Sequence, residues 1–173
     1  YKFDQPPIDK VILEAKEEIY ILGIDLGIMV TKIGLFLTKI EEGLNLRFIS
    51  MCLDEKLISE CSKFRGINPL ELQNRISFWS NSFYSKVAIK YPNQAEYRMF
   101  KHIPTSGFFI IDPNNPKYGK MNVAPYFYQG FGMDEPLIHI SKKNLSSLFD
   151  IYLKQYELIW QNSTKVDSPI NTE

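Results

Sequence analysis

The stretch "TSGFFIID", residues 105–112, reads as a short strand that ends on a carboxylate, Asp112. Strands of this kind often present a catalytic group, because the sheet fixes the carboxylate where a substrate can reach it. Thr105 supplies a hydroxyl at the start of the strand, and His102 stands three residues earlier. These three are the catalytic candidates if the chain is an enzyme. Asp112 also opens "DPNNP", where an aspartate commonly folds its side chain onto its own backbone to start a turn. The turn reading is the expectation for this residue.

Two further carboxylates, Asp25 and Asp54, each follow a predicted strand. Open α/β sheets place ligands at the carboxyl ends of their strands, so both are candidate ligand-binding residues alongside Asp112. Together they could hold a divalent cation, although solvated loop carboxylates are the plainer reading. The run "PYFYQGFG" (125–132) brings Tyr126, Phe127, Tyr128 and Phe131 together with two glycines. Tyr126 and Tyr128 could stack a base or cover a pocket; alternating aromatics also simply fill the two faces of a sheet. His139, between Ile138 and Ile140, reads as a structural histidine.

These residues need elements to hold them. Pro6 and Pro7 precede a helical spacing of Ile8, Val11, Ile12 and Ala15. "IYILGI" (19–24) is apolar throughout, as a strand buried on both faces should be. Met29, Ile33, Phe36, Leu37 and Ile40 then form a helical stripe that stops at Gly43, and "LNLRFISMCL" (44–53) is a second strand. Helix, strand, helix, strand predicts a parallel βαβ unit. "LDEKLISECSKFRGI" is polar and mixed, a loop or short helix. Asn68 and Pro69 open a long helix that Pro92 closes. Short strands follow: "YRMFKHI", "GFFIID", "KMNVAPYFY" and "PLIHIS", with "DPNNPKYG" as a hairpin turn. A last helix, "NLSSLFDIYLKQYELIWQ", carries more aromatics than one buried face requires, and its surplus suits a dimer surface. The expected organisation is one α/β domain over 1–162 and a flexible tail over 163–173.

Twenty basic and twenty acidic residues give no net charge, so no global field recruits nucleic acid or an anionic membrane. No stretch approaches the ~20 apolar residues of a membrane span. Cys52 and Cys61 are expected as free thiols in a reducing cytoplasm, and no Cys/His cluster suggests a metal. No cofactor is indicated. The chain begins at Tyr1, which fits a domain with another fused N-terminally.

"GIDLGIMVTKIGLFL" (23–37) resembles the first phosphate loop of the sugar-kinase, heat-shock-ATPase and actin superfamily. The places that are small or hydroxylic there hold Ile28, Met29 and Val30 here, which bind no phosphate, and the helical stripe contradicts a hairpin. Gly23, Gly27 and Gly34 also miss the dinucleotide-binding spacing.

The order from "EAKEEIYILGI" to "LFDIYLKQYELIWQ", with "EEGLNLRFISMCLD" between them, resembles one half of the phospholipase D superfamily fold. The closing "PLIHISKKNLSSLFDIYLKQYELIW" is especially similar to the non-catalytic phospholipase-D-like domains of bacterial regulatory proteins. The resemblance implies a three-layer α/β sandwich with a mixed, partly parallel sheet flanked by helices. Catalytic members carry His-x-Lys-(four residues)-Asp on a strand, with the histidine as nucleophile and the lysine on the phosphoryl oxygens. Aligned on Asp112, those places hold Thr105 and Gly107, so only the carboxylate is kept. The resemblance therefore implies a catalytically inactive regulatory or sensor domain, cytoplasmic and paired as a homodimer, with a phosphorylated or nucleotide-like ligand. Nucleic acid is not expected to bind through this domain. The alternatives are a phosphodiesterase or nuclease with a relocated site on His102, Thr105 and Asp112, and an interaction or dimerisation domain without a ligand.

Overall fold

The computed structural model describes residues 7–130 and 136–170. Its frame is a seven-stranded mixed sheet. Three strands are parallel: β1 (Glu18–Leu22), β2 (Asn45–Met51) and β3 (Ala95–Phe100). On the other side of β1 run the antiparallel strands β4 (Ser106–Ile111), β5 (Lys120–Pro125) and β6 (Ile138–Ser141). A short β7 (Thr164–Lys165) closes the far edge, giving the order β6-β5-β4-β1-β2-β3-β7. The parallel unit predicted from the helix–strand alternation is present, and the mixed sheet flanked by helices is the expected architecture.

Period-two alternation divides the strands between two cores. On one face Ile19, Ile21, Leu46, Phe48, Ala95 and Tyr97 meet α1 (Ile8–Glu14), α2 (Ile33–Glu41) and α4 (Pro69–Phe83). Phe48 is the centre of that face, with the rings of Phe36, Trp79 and Phe83 at 5.2, 5.0 and 4.9 Å. The other face gathers Tyr20, Leu22, Ile49, Phe108, Ile110, Met121, Val123 and Ile140. One helix, α5 (Ser146–Gln161), covers it with Phe149, Tyr156, Ile159 and Trp160. β1 is thus buried on both sides, which is why its sequence is apolar without alternation.

Four expectations are corrected. The stripe beginning at Met29 is not all α-helix: Gly27–Lys32 is a 3-10 turn that leads into α2, entered through Leu26 in the left-handed region (φ 54°). The mixed segment after β2 is a full helix, α3 (Glu55–Arg65), because Asp54 caps its first turn and Gly66, at φ 67°, ends it.

Asp112 does not fold onto its own turn. Its backbone is left-handed (φ 47°), and its carboxylate is 1% exposed. Oδ1 accepts from the backbone N–H groups of Lys16, Glu17 and Glu18 at 3.1, 2.8 and 3.1 Å. The turn is made instead by Asn115, whose side-chain oxygen accepts from Lys117 and Tyr118 N–H.

The tail expected from residue 163 is docked through residue 170. Ser163 is buried, β7 pairs antiparallel with β3, and Val166 N–H donates to Tyr97 O at 3.0 Å. The side-chain amide of Asn81 on α4 then clamps Ile170 both ways, at 3.0 and 2.7 Å. Capping an edge strand in this manner hides N–H and C=O groups that another chain could pair with.

Candidate functional site at the carboxyl end of the parallel strands

The candidate residues divide between the two ends of β4. Thr105 is exposed at its start, and Asp112 is buried at its finish. The strand between them is six residues long, so the two lie about 20 Å apart. His102 belongs to the loop before β4, is exposed, and packs its ring 5.1 Å from that of Phe100. A single reacting group cannot be served by His102, Thr105 and Asp112 together. Asp112 holds the entry to β1, three backbone donors that would otherwise be unpaired next to the sheet.

The other end of β4 abuts the carboxyl ends of β1 and β2, and here several candidates converge. Leu22 pairs with Phe108, and Gly107 pairs with Ala124 of β5. The chain leaves β5 at Pro125, and Tyr126 N–H donates to Thr105 O at 3.0 Å, which turns the Tyr126 ring back over the end of the sheet. Its hydroxyl accepts from Ile24 N–H at 3.3 Å. A Cβ on Gly107 would lie 2.8 Å from that hydroxyl, and one on Gly23 would lie 3.6 Å from it. Any side chain at Gly107 would therefore require the phenol to move.

Arg65, in the last turn of α3, closes the site from the other side. It is 5% exposed, its guanidinium lies 4.8 Å from the centre of the Tyr126 ring, and its Nη1 reaches Phe127 O at 3.4 Å. Burial of a guanidinium is tolerated when its charge meets an aromatic face and carbonyl oxygens. Arg65 was missed by sequence reasoning. "KFRG" shows only a basic residue before a helix-ending glycine, and nothing local says that this one is buried.

Both predicted edge carboxylates have structural partners. Asp25 Oδ1 accepts from Gly27 N–H at 2.7 Å, fixing the 3-10 turn, while Oδ2 lies 3.7 Å from Arg75. Asp54 caps α3 through Leu57 N–H at 3.0 Å. Among the described residues no group of three or more His, Cys, Asp and Glu side chains is placed to hold a metal ion.

The aromatic run splits by direction. Tyr126 points inward; Tyr128 is 69% exposed, packs on Phe64 at 6.0 Å, and its hydroxyl accepts from Gln129. Phe131 lies outside the described residues. His139, on the outer strand β6, meets Asn122 at 2.6 Å on an exposed part of the sheet. Both cysteines are free, Cys52 half-buried and Cys61 on the buried face of α3, where desolvation pushes its thiol up to about 11. No helix among the described residues is long and apolar enough to cross a membrane.

Two solved structures share this architecture over nearly the whole chain. The first is NUC from Salmonella typhimurium, a phospholipase D family member: 12% identity, TM-score 0.52, covering 93% of this chain and 89% of that one. The fold is phospholipase D-like. The second is TrmBL2, an archaeal chromatin protein whose structure shows a novel mode of DNA binding. It is 13% identical with a TM-score of 0.54, and the match covers 92% of this chain. This chain spans about half of TrmBL2, 48% of its length. No family model matches the sequence. No curated protein matches it either.

Thr105 and Gly107 flank the start of the strand that ends next to Asp112. Those two positions sit at the convergent end of the sheet, under Tyr126.

Proposed function

We propose that this domain is a catalytically silent phospholipase D-like module that works by binding, as a cytoplasmic homodimer within a longer regulatory polypeptide. The observation that carries the reading is the relation of Tyr126 to Gly107. Where the family's lysine would project, the chain has no side chain, and a phenol fills the space. Neither described candidate base serves Thr105: His102 packs on Phe100, and Asp112 is at the far end of the strand. Without a nucleophile or a phosphoryl-stabilising lysine, neither half of the family's chemistry can proceed.

The end of the sheet still presents binding groups. Ile24 N–H, the Arg65 guanidinium and the Tyr126 ring surround one spot, a set suited to a phosphorylated or nucleotide-like ligand that takes the place of the phenol oxygen. Asp25 borders this spot through the 3-10 turn, and Tyr128 lies on the surface beside it. The absence of net charge argues against DNA as the partner of this domain, unlike the chromatin protein it resembles.

The test is thermal unfolding against nucleotides, cyclic nucleotides and phosphodiesters at millimolar concentration, with turnover of bis(p-nitrophenyl) phosphate measured in parallel. A ligand at 100 times its dissociation constant adds about 2.7 kcal/mol, a shift of several degrees for a domain of this size. A selective shift that Tyr126→Ala abolishes supports the reading. Turnover that survives purification and is lost in Thr105→Ala overturns the silent assignment. A firm dimer with no shift from any compound moves the function to interaction alone, a second reading favoured by the exposed apolar residues of α5.

A further inference from the structure

The Tyr126 hydroxyl stands in for a missing rung of the sheet. Along a strand, successive N–H groups turn to opposite neighbours. Gly23 N–H donates to Ile49 O on β2 at 3.0 Å, which leaves Ile24 N–H to the β4 side. Pairing of β1 with β4 ends at Leu22 and Phe108, and the same register two residues on would set Ile24 opposite Ser106. No pair forms there. The phenol oxygen takes the Ile24 N–H instead, at 3.3 Å, a long bond between neutral groups. Its room comes from Gly107, where a Cβ would lie 2.8 Å from the oxygen.

This acceptor can be exchanged. Ile24 is buried, so its N–H needs an acceptor whichever group supplies it. Tyr126 is only half-buried, and its own N–H is held by Thr105 O at 3.0 Å. The side chain can therefore turn toward solvent about its Cα–Cβ bond without unpairing its backbone. Hydrogen bonds to an anionic oxygen are shorter than those to a neutral one and about twice as strong. An anionic oxygen arriving at this spot replaces a weak bond with a stronger one and leaves no donor bare.

We infer that the Tyr126 hydroxyl is an internal competitor for the ligand site, holding the Ile24 N–H in the free domain and yielding it to an anionic oxygen of the ligand. The inference rests on the binding reading above and adds its regulation. A site closed by its own side chain binds more weakly by the fraction of molecules in which it is open, so the phenol sets the ligand concentration at which the domain responds.

The experiment is a titration of the isotope-labelled full chain with inorganic phosphate, AMP and cyclic AMP, following the Ile24 amide by nuclear magnetic resonance. Tyr126→Phe is titrated in parallel, because it removes the hydroxyl and keeps the ring that the binding reading uses. The wild-type Ile24 amide is expected to shift on binding. Tyr126→Phe should bind the same compound about fivefold more tightly, the worth of one neutral hydrogen bond. Without ligand, the Ile24 amide of Tyr126→Phe should exchange with solvent faster than that of wild type, and the bound compound should slow it again. Binding to the wild-type chain that leaves the Ile24 amide unmoved overturns the competition, and the binding reading stands. Equal or weaker binding by a folded Tyr126→Phe overturns it in the same way and makes the hydroxyl a ligand contact or a bystander. No response of either chain to any of the three compounds overturns the binding reading and the competition together.

Discussion

The hydroxyl of Tyr126 stands 2.8 Å from where a Cβ on Gly107 would be, so one residue's side chain occupies the room that another lacks. Glycine at 107 and tyrosine at 126 are a matched pair, and each should be costly to change alone. Gly107→Ala is expected to destabilise the fold by about 1–3 kcal/mol, the range for overpacking a filled site. In a Tyr126→Phe background, where the clashing oxygen is gone, the same change should cost less. A double-mutant cycle by urea unfolding measures the coupling, expected at about 1 kcal/mol. Additive losses would mean that the phenol yields freely and does not fill the site.

Asp112 anchors the start of β1 by accepting three backbone N–H bonds from residues 16–18. Asp112→Ala leaves three donors without their acceptor and should cost about 3 kcal/mol or more. Asp112→Asn keeps an oxygen in the position of Oδ1, tolerates the left-handed backbone, and should lose about half as much. If the aspartate served a ligand instead, the two variants would unfold like wild type and differ in binding.

Alkaline pH should unfold this domain earlier than its composition suggests. In the folded chain, desolvation raises Cys61 from 9.0 to about 11 and holds Tyr20, Tyr97 and Tyr156 above the ordinary tyrosine value of 10.0. For Tyr20 a hydrogen bond donated to Glu18 adds to the effect. Above pH 9 the unfolded chain therefore binds fewer protons than the folded one, and stability falls as pH rises. The contribution is complete below pH 9 and declines through pH 10 and beyond. Melting temperatures between pH 7 and 11 should show the decline, and Tyr97→Phe should flatten it.

The two thiols should separate by reactivity. Cys52 is half-buried and lines an open groove of about 420 Å³ with Met99, Lys101 and the docked C-terminal segment. Cys61 is fully buried, and its raised thiol holds little thiolate at neutral pH. An aromatic disulfide reagent at pH 8 should titrate one thiol in the native domain and two in denaturant. Cys52→Ser should remove the fast phase.

Asn81 ties the end of the chain to α4 through two bonds with Ile170. Asn81→Ala should cost about 1–2 kcal/mol at most and release the segment rather than the core. Hydrogen exchange would show this as lost protection at Val166 and Ile170, with the amides of β2 unchanged.

Sequence alone determined most of the elements and their order, because the marks that announce them are local. Periods of 2 and 3.6 gave the strands and helices, Asn68–Pro69 gave the start of α4, and the helix–strand alternation gave the parallel unit. Only the tertiary structure decided what the remaining side chains do. Asp112 and Lys16 are 96 residues apart, Tyr126 and Ile24 are 102 apart, and Asn81 and Ile170 are 89 apart. A hydrogen bond across such separations leaves no trace in the periodicity around either partner. The docked 163–170 segment was illegible for the same reason: its polar residues read as a tail until the open edge of β3 is there to receive their backbone. Arg65 read as a solvated helix end until the fold brought the Tyr126 ring over its guanidinium.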